Sequence, residues 1–142
     1  MFEKIKKLET DLDSRDLLIK KSTGDGNCLF RSISDQLYGD EKYHEEIRKV
    51  CMDYITLEKD FFRDYVIEDI DEYIEKKRKD GEWGDDVEIQ ALSEIYARPI
   101  EIYVFGDKPT RTFHEENERK VEPMRLAYIG ACHYDSIQPK NN

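Results

Sequence analysis

Pro99-Ile100-Glu101-Ile102-Tyr103-Val104-Phe105 is where the periodicity of the chain changes. Its side chains alternate and are mostly β-branched or aromatic, the pattern of a strand. Working outward toward the C-terminus, Arg111-Thr112-Phe113, Met124 to Ile129 and Cys132 to Ile137 also read as strands. Toward the N-terminus the spacing becomes three to four. Asp85 or Asp86 caps a predicted helix that runs to about Tyr96. Asp69 to Lys77, Phe61 to Val66 and Tyr43 to Leu57 are predicted helices too. Another begins at Cys28, carries Leu29, Ile33, Gln36 and Leu37 on one face, and stops at Gly39. Leu17-Leu18-Ile19 reads as extended, and Phe2, Ile5, Leu8 and Leu12 mark a first helix. Helices come first and strands last. That segregation predicts an α+β fold in which N-terminal helices pack on a small, mainly antiparallel sheet formed late in the chain.

The chain has 142 residues, which fits one domain over 1–142 with one core. Asp and Glu number 33 against 23 Lys and Arg, a net charge of −10. That charge argues against sequence-independent nucleic-acid binding, which sets Lys and Arg against phosphate, and favours a partner with a basic surface. Nine Tyr, six Phe and one Trp set the chain apart from disordered acidic sequences. No apolar run approaches the roughly 20 residues that span a bilayer, and Met1-Phe2-Glu3-Lys4-Ile5 lacks the apolar core of a signal peptide. Cys28, Cys51 and Cys132 are an odd set without a C-x-x-C pair, so a reduced intracellular protein without disulfides is expected.

Two segments carry chemistry. In Asp25-Gly26-Asn27-Cys28-Leu29-Phe30-Arg31, a cysteine follows a glycine-flanked turn and opens a helix. A free thiol, with a pKa of about 8.5, is only a few per cent ionised near neutrality. A helix N-terminus favours the thiolate, and the amides of Gly26, Asn27 and Cys28 are candidates to hold an oxyanion. In Cys132-His133-Tyr134-Asp135, His133 and Asp135 share one face of a strand. Asp135 is then placed to hold the imidazole Nδ1–H, leaving Nε2 toward a thiolate, the nucleophile–base–orienter logic of a cysteine hydrolase. Taken singly, each segment also fits a structural role, Cys28 as a small buried residue and His133 as a core histidine paired with Asp135.

With Ser34-Asp35-Gln36-Leu37-Tyr38-Gly39, the Asp25–Arg31 segment resembles the opening motif of the ovarian-tumour (OTU) family of deubiquitinases. Trp83-Gly84-Asp85-Asp86-Val87-Glu88-Ile89 and His133-Tyr134-Asp135-Ser136 are similar to its later motifs and follow in family order. The likeness covers roughly 16–138, after a helix over 1–15. His44 to Tyr54, Lys76 to Lys79 and Ala97 to Glu101 look closest to the DUBA branch, which tends to carry Asn where this chain has Asp135.

The resemblance implies a papain-like α+β cysteine isopeptidase that cleaves after the C-terminal glycine of ubiquitin. Cys28 matches the nucleophile, His133 the base, Asp135 its orienting group and Asp25 the leading acid that shapes the loop. It implies a monomer in the cytoplasm or nucleus, with ubiquitin or polyubiquitin as partner, no cofactor or metal, and no nucleic-acid or membrane partner. A catalytically silent ubiquitin-binding module and a protease for another ubiquitin-like modifier are the alternatives. The acidic stretch Glu115 to Lys120 would suit the Arg-containing tail of ubiquitin.

Other residues have simpler expectations. Trp83-Gly84 reads as a structural corner, Cys51 as core, and Cys132 as a buried, inert strand residue. His44, His114 and the run Lys76-Lys77-Arg78-Lys79 read as solvated surface. Zinc is disfavoured because neither C-x-x-C nor H-x₃₋₅-H occurs. A cysteine phosphatase would need Arg six residues after its nucleophile, but Ser34 and Leu57 stand there after Cys28 and Cys51.

Overall fold

A computed structural model describes residues 2–114 and 121–140. The elements follow the order α1 (Phe2–Asp13), β1 (Leu17–Lys20), α2 (Cys28–Tyr38), α3 (His44–Leu57), α4 (Lys59–Phe62), α5 (Ile70–Lys77), α6 (Asp86–Ile95), β2 (Ile100–Tyr103), β3 (Arg111–Phe113), β4 (Met124–Ile129) and β5 (His133–Pro139). Short 3-10 turns at Glu41–Tyr43 and Arg63–Tyr65 complete the helical half. The acidic stretch Glu115 to Lys120 lies outside the described residues.

Local chemistry sets the helix ends. The Asp69 carboxylate accepts from the amides of Asp71 and Glu72 and starts α5. Asp85 starts α6 through a capping box: its carboxylate accepts from Asp86 N at 2.8 Å, while Glu88 Oε1 accepts from Asp85 N at 2.8 Å. Gly39 ends α2 in the left-handed conformation, φ 72°, as a C-cap glycine does.

The strands form one sheet in the order β1-β5-β4-β2-β3, antiparallel except for the parallel β2–β4 pair. The α+β expectation holds, with one refinement. The early strand β1 crosses from the helical half to pair with β5 at the sheet edge, Leu17 opposite Pro139 and Lys20 opposite Ser136. Alternation along the strands then loads both faces. Ile102 and Leu126 join the larger core with α2, α3 and α6, while Tyr103 and Ala127 pack with Leu8 and Leu12 of α1. Phe2, expected on the buried face of α1, is 70% exposed.

Helix α2 is fixed to the sheet by polar side chains at its C-terminal end. Buried Asp35 accepts from Ser136 Oγ at 2.6 Å, Gln138 Nε2 at 2.9 Å and Lys20 Nζ at 2.5 Å. Gln36 donates to Ile137 O at 2.6 Å and accepts from Arg125 N at 2.8 Å, joining β5 and β4. These bonds set the register of α2 on β5, and so place the first residue of α2 against the first residues of β5.

Several surface assignments change. His44 is buried, because α3 turns its first residue inward. His114 is half-buried. Lys77 breaks the solvated Lys76–Lys79 run: it is buried and donates to Trp83 O at 2.7 Å. Cys51 is fully buried, as expected.

Candidate active site

Cys28 is the first residue of α2 and 2% exposed. The loop ahead of it is held by two polar networks. Asp25 accepts from Arg31 Nη2 at 2.6 Å and from Asn27 N and Nδ2, both at 3.1 Å. The Arg31 guanidinium holds the Asp25 carboxyl well below the usual carboxylate range. Arg31 also reaches Glu41 at 3.4 Å, and Glu41 accepts from Thr23 Oγ1 at 2.6 Å.

The second network centres on Asn27 Oδ1, which accepts from Gly81 N and Arg48 Nη2, each at 2.8 Å. Arg48 is buried over the Phe30 ring, 4.4 Å from its centroid, and donates as well to Lys77 O and Glu82 O. Gly26, at φ 84°, passes so close to Gly81 that a Cβ would stand 2.0 Å from the Gly81 carbonyl oxygen. Only glycine fits there.

The other half of the site is the start of β5. Tyr134 is the pivot. Its amide donates to Cys28 Sγ at 3.4 Å, and its carbonyl accepts from Ser22 Oγ at 2.7 Å and Ser32 Oγ at 3.1 Å. Trp83 stacks on the Tyr134 ring, centroids 5.7 Å apart, and donates Nε1–H to Cys132 O at 2.6 Å. Gly84 lies against Leu29, where a Cβ would come within 2.4 Å of a Leu29 methyl carbon. The Trp83-Gly84 corner therefore grips both halves, Trp83 the histidine segment and Gly84 the cysteine helix.

His133 is half-buried and its Nε2 lies 2.7 Å from Asp135 Oδ1; Asp135 is 4% exposed. Three details correct the expectations from sequence. First, Asp135 meets Nε2 and not Nδ1, so Nδ1 is the nitrogen left for a thiol. Second, the Asn27 amide is engaged by Asp25, which removes it from the set of oxyanion donors. Third, burial and not the helix N-terminus sets the direction of the Cys28 shift. Burial raises the Cys28 pKa, and the negative charge of Asp135 adds to the rise. The amides of Tyr134, Leu29 and Cys28 itself work the other way without overcoming burial. Cys132 is a further correction: it sits in the turn before β5 and is exposed, not buried on the strand.

Ser22, Arg48 and Trp83 complete the geometry. Sequence reasoning gave Ser22 and Arg48 no role, and no local pattern marks them; their partners stand 112 and 21 residues away. Among the described residues, no group of three or more His, Cys, Asp or Glu is placed to hold a metal. Nor does any described helix have the length and apolar character to cross a membrane.

A cysteine and a histidine–carboxylate pair joined through one backbone amide suit acyl transfer, and the sequence profile described as OTU-like cysteine protease matches residues 23–137. The chain belongs to the OTU family. It is 43% identical over 129 residues to OTU domain-containing protein 5-A of Xenopus laevis, covering 91% of this chain and 25% of that protein. It is 40% identical over 124 residues to the Arabidopsis thaliana protein called ovarian tumor domain-containing deubiquitinating enzyme 6, covering 87% and 25%. The chain thus spans about a quarter of the length of these relatives. The solved OTU domain of OTUD1 superposes with a TM-score of 0.87 at 26% identity, covering 96% of this chain and 95% of that one.

Proposed function

We propose that residues 1–142 form one catalytic domain, a monomer of the cytoplasm or nucleus, that hydrolyses the bond after the C-terminal glycine of ubiquitin. The observation that carries this reading is the Tyr134 amide on Cys28 Sγ at 3.4 Å, flanked by the His133–Asp135 pair at 2.7 Å. Membership in the OTU-like cysteine protease family supports the reaction class. A relative whose name includes deubiquitinating enzyme supports ubiquitin as the substrate.

The raised thiol pKa argues for a thiol that rests protonated. His133 Nδ1 then accepts the Cys28 proton as Sγ attacks the glycyl carbonyl carbon, and the carbonyl electron pair moves to oxygen. The amides of Gly26 and Cys28 are the loop donors left for that oxyanion, while the Asp25–Arg31 pair keeps the loop in shape. The tetrahedral species collapses, the C–N bond breaks, and His133 protonates the departing lysine amine. Water, giving its proton to His133, attacks the thioester and frees the glycine carboxylate and the thiol. Asp135 holds Nε2–H throughout and stabilises the imidazolium.

The test is a ubiquitin probe with a C-terminal electrophile. The expected result is an adduct that depends on Cys28; absence of an adduct with well-folded protein overturns the reading. The same probe built on other ubiquitin-like modifiers separates them from ubiquitin, and size-exclusion chromatography checks the monomer.

A further inference from the structure

Strand β1 leaves the β1–β5 ladder after the Lys20–Ser136 pair, one residue short of Asp135. The backbone groups of Tyr134 therefore lie beyond the end of the strand pair, where buried polar groups still need partners. Ser22, two residues past the end of β1, supplies one of them. Its hydroxyl donates to Tyr134 O at 2.7 Å, and its amide donates to Asp135 Oδ1 at 2.9 Å. The same hydroxyl oxygen is 3.3 Å from Asp135 Oδ1 and 3.5 Å from His133 Nε2. Asp135 Oδ1, the oxygen that meets the imidazole, is thus also held by the Ser22 backbone.

We infer that Ser22 is a positioning residue of the catalytic centre: it pins the end of β1 to Tyr134 and so fixes the Asp135 carboxylate against His133. A hydroxyl has one proton, and the 2.7 Å bond to Tyr134 O takes it. The Asp135 oxygen is therefore held chiefly by the Ser22 amide. The hydroxyl acts one step back, by keeping that amide in place. Cutting the pin lets the segment drift, and the carboxylate turns away from the ring. The charged group hydrogen-bonded to this ring is Asp135, on its own strand. Loosening Asp135 therefore weakens the Nε2–H bond that aims the ring.

This inference builds on the proposed hydrolase reading, and its test separates the two. Ser22→Ala removes the hydroxyl, and Ser22→Thr keeps it. The first readout needs no substrate: solvent exchange of the His133 Nε2–H proton by NMR, assigned with a His133→Gln variant. Ser22→Ala is expected to speed that exchange roughly two- to ten-fold, the size of one net hydrogen bond, and Ser22→Thr to restore it. The second readout is cleavage of a fluorogenic ubiquitin substrate. Ser22→Ala should lower kcat roughly two- to ten-fold at unchanged KM. If the wild type does not cleave but the exchange still quickens in Ser22→Ala, the positioning role stands and the substrate reading fails. An exchange rate that stays put or falls overturns the positioning role, whatever the variant does to thermal stability.

Discussion

Cys28 and Cys51 lie about equally deep, 2% and 0% exposed, and burial pushes both thiols up. They meet opposite ends of a hydrogen bond. At Cys28 an amide, Tyr134 N–H, points at the sulfur from 3.4 Å. Cys51 instead donates to a carbonyl, Glu88 O at 3.7 Å, and feels the nearby Glu88 carboxylate, which raises its pKa further. A thiolate forming at Cys28 is met by amide donors; one forming at Cys51 would meet a carbonyl oxygen and the Glu88 carboxylate, which Arg48 offsets in part. Depth does not tell the two thiols apart. The direction of the surrounding backbone does.

The largest effect that tests this contrast is removal of each sulfur. Cys28→Ala should lower ubiquitin cleavage by at least about 10³-fold while keeping ubiquitin affinity. Cys51→Ala should keep turnover and lose on the order of 1 kcal/mol of stability through a small cavity. Comparable activity losses in both variants, at matched folded fraction, would break the comparison.

Next in size is Asp135, which acts on Cys28 in two opposed ways. Its charge raises the thiol pKa, and its oxygen orients His133. Asp135→Ala should lower kcat about 10- to 100-fold with little change in ubiquitin affinity. Asp135→Asn removes the charge but keeps an acceptor for Nε2–H, so it should retain most of the activity. A large affinity loss in Asp135→Ala would mean that Asp135 contacts the substrate.

A smaller effect tests the loop that aims Cys28. The Asp25 carboxyl is depressed, so its contribution is fully present above the unfolded pKa of about 4 and is lost as pH falls through the folded value. The pair is partly exposed, which limits its worth to about 1 kcal/mol or less. Wild type and Asp25→Asn should therefore differ in thermal midpoint by a constant amount from pH 6 to 8, and the gap should close below about pH 4. A gap that widens in acid would show that Asp25 is not held ionised by Arg31.

Much of this was legible in the sequence because it is written in local patterns. The change of period at Pro99 separated helices from strands, and the turn chemistry before Cys28 placed it at a helix start. What escaped depended on pairing between distant segments. Nothing near Leu17 announces that β1 will pair with β5, so Ser22 had no visible partner at Tyr134. The charged neighbours of His44 suggested surface, yet the way α3 packs turns that first residue inward. Which imidazole nitrogen meets Asp135 depends on the ring torsion, and H-x-D spacing leaves that open. A helix N-terminus suggested a lowered thiol pKa at Cys28, but that reasoning omitted burial, which wins.

The third cysteine completes the contrast with the smallest expected effect. Cys132 is exposed in the turn before β5, and only its carbonyl takes part in the site, as acceptor for Trp83. Cys132→Ser should leave turnover within about twofold, as surface changes usually do. Reactivity should nevertheless rank this thiol first. With iodoacetamide at pH 7 and peptide mass mapping, Cys132 should label fastest and Cys28 more slowly, with Cys51 labelled only once the protein unfolds. Because the thiolate is the reacting species, raising the pH should speed labelling of Cys28 in the folded protein. If Cys28 instead labels first at pH 7 and is indifferent to pH, the resting thiol is already ionised. The Tyr134, Leu29 and Cys28 amides would then outweigh burial, and His133 would start the reaction as an imidazolium and not as a base.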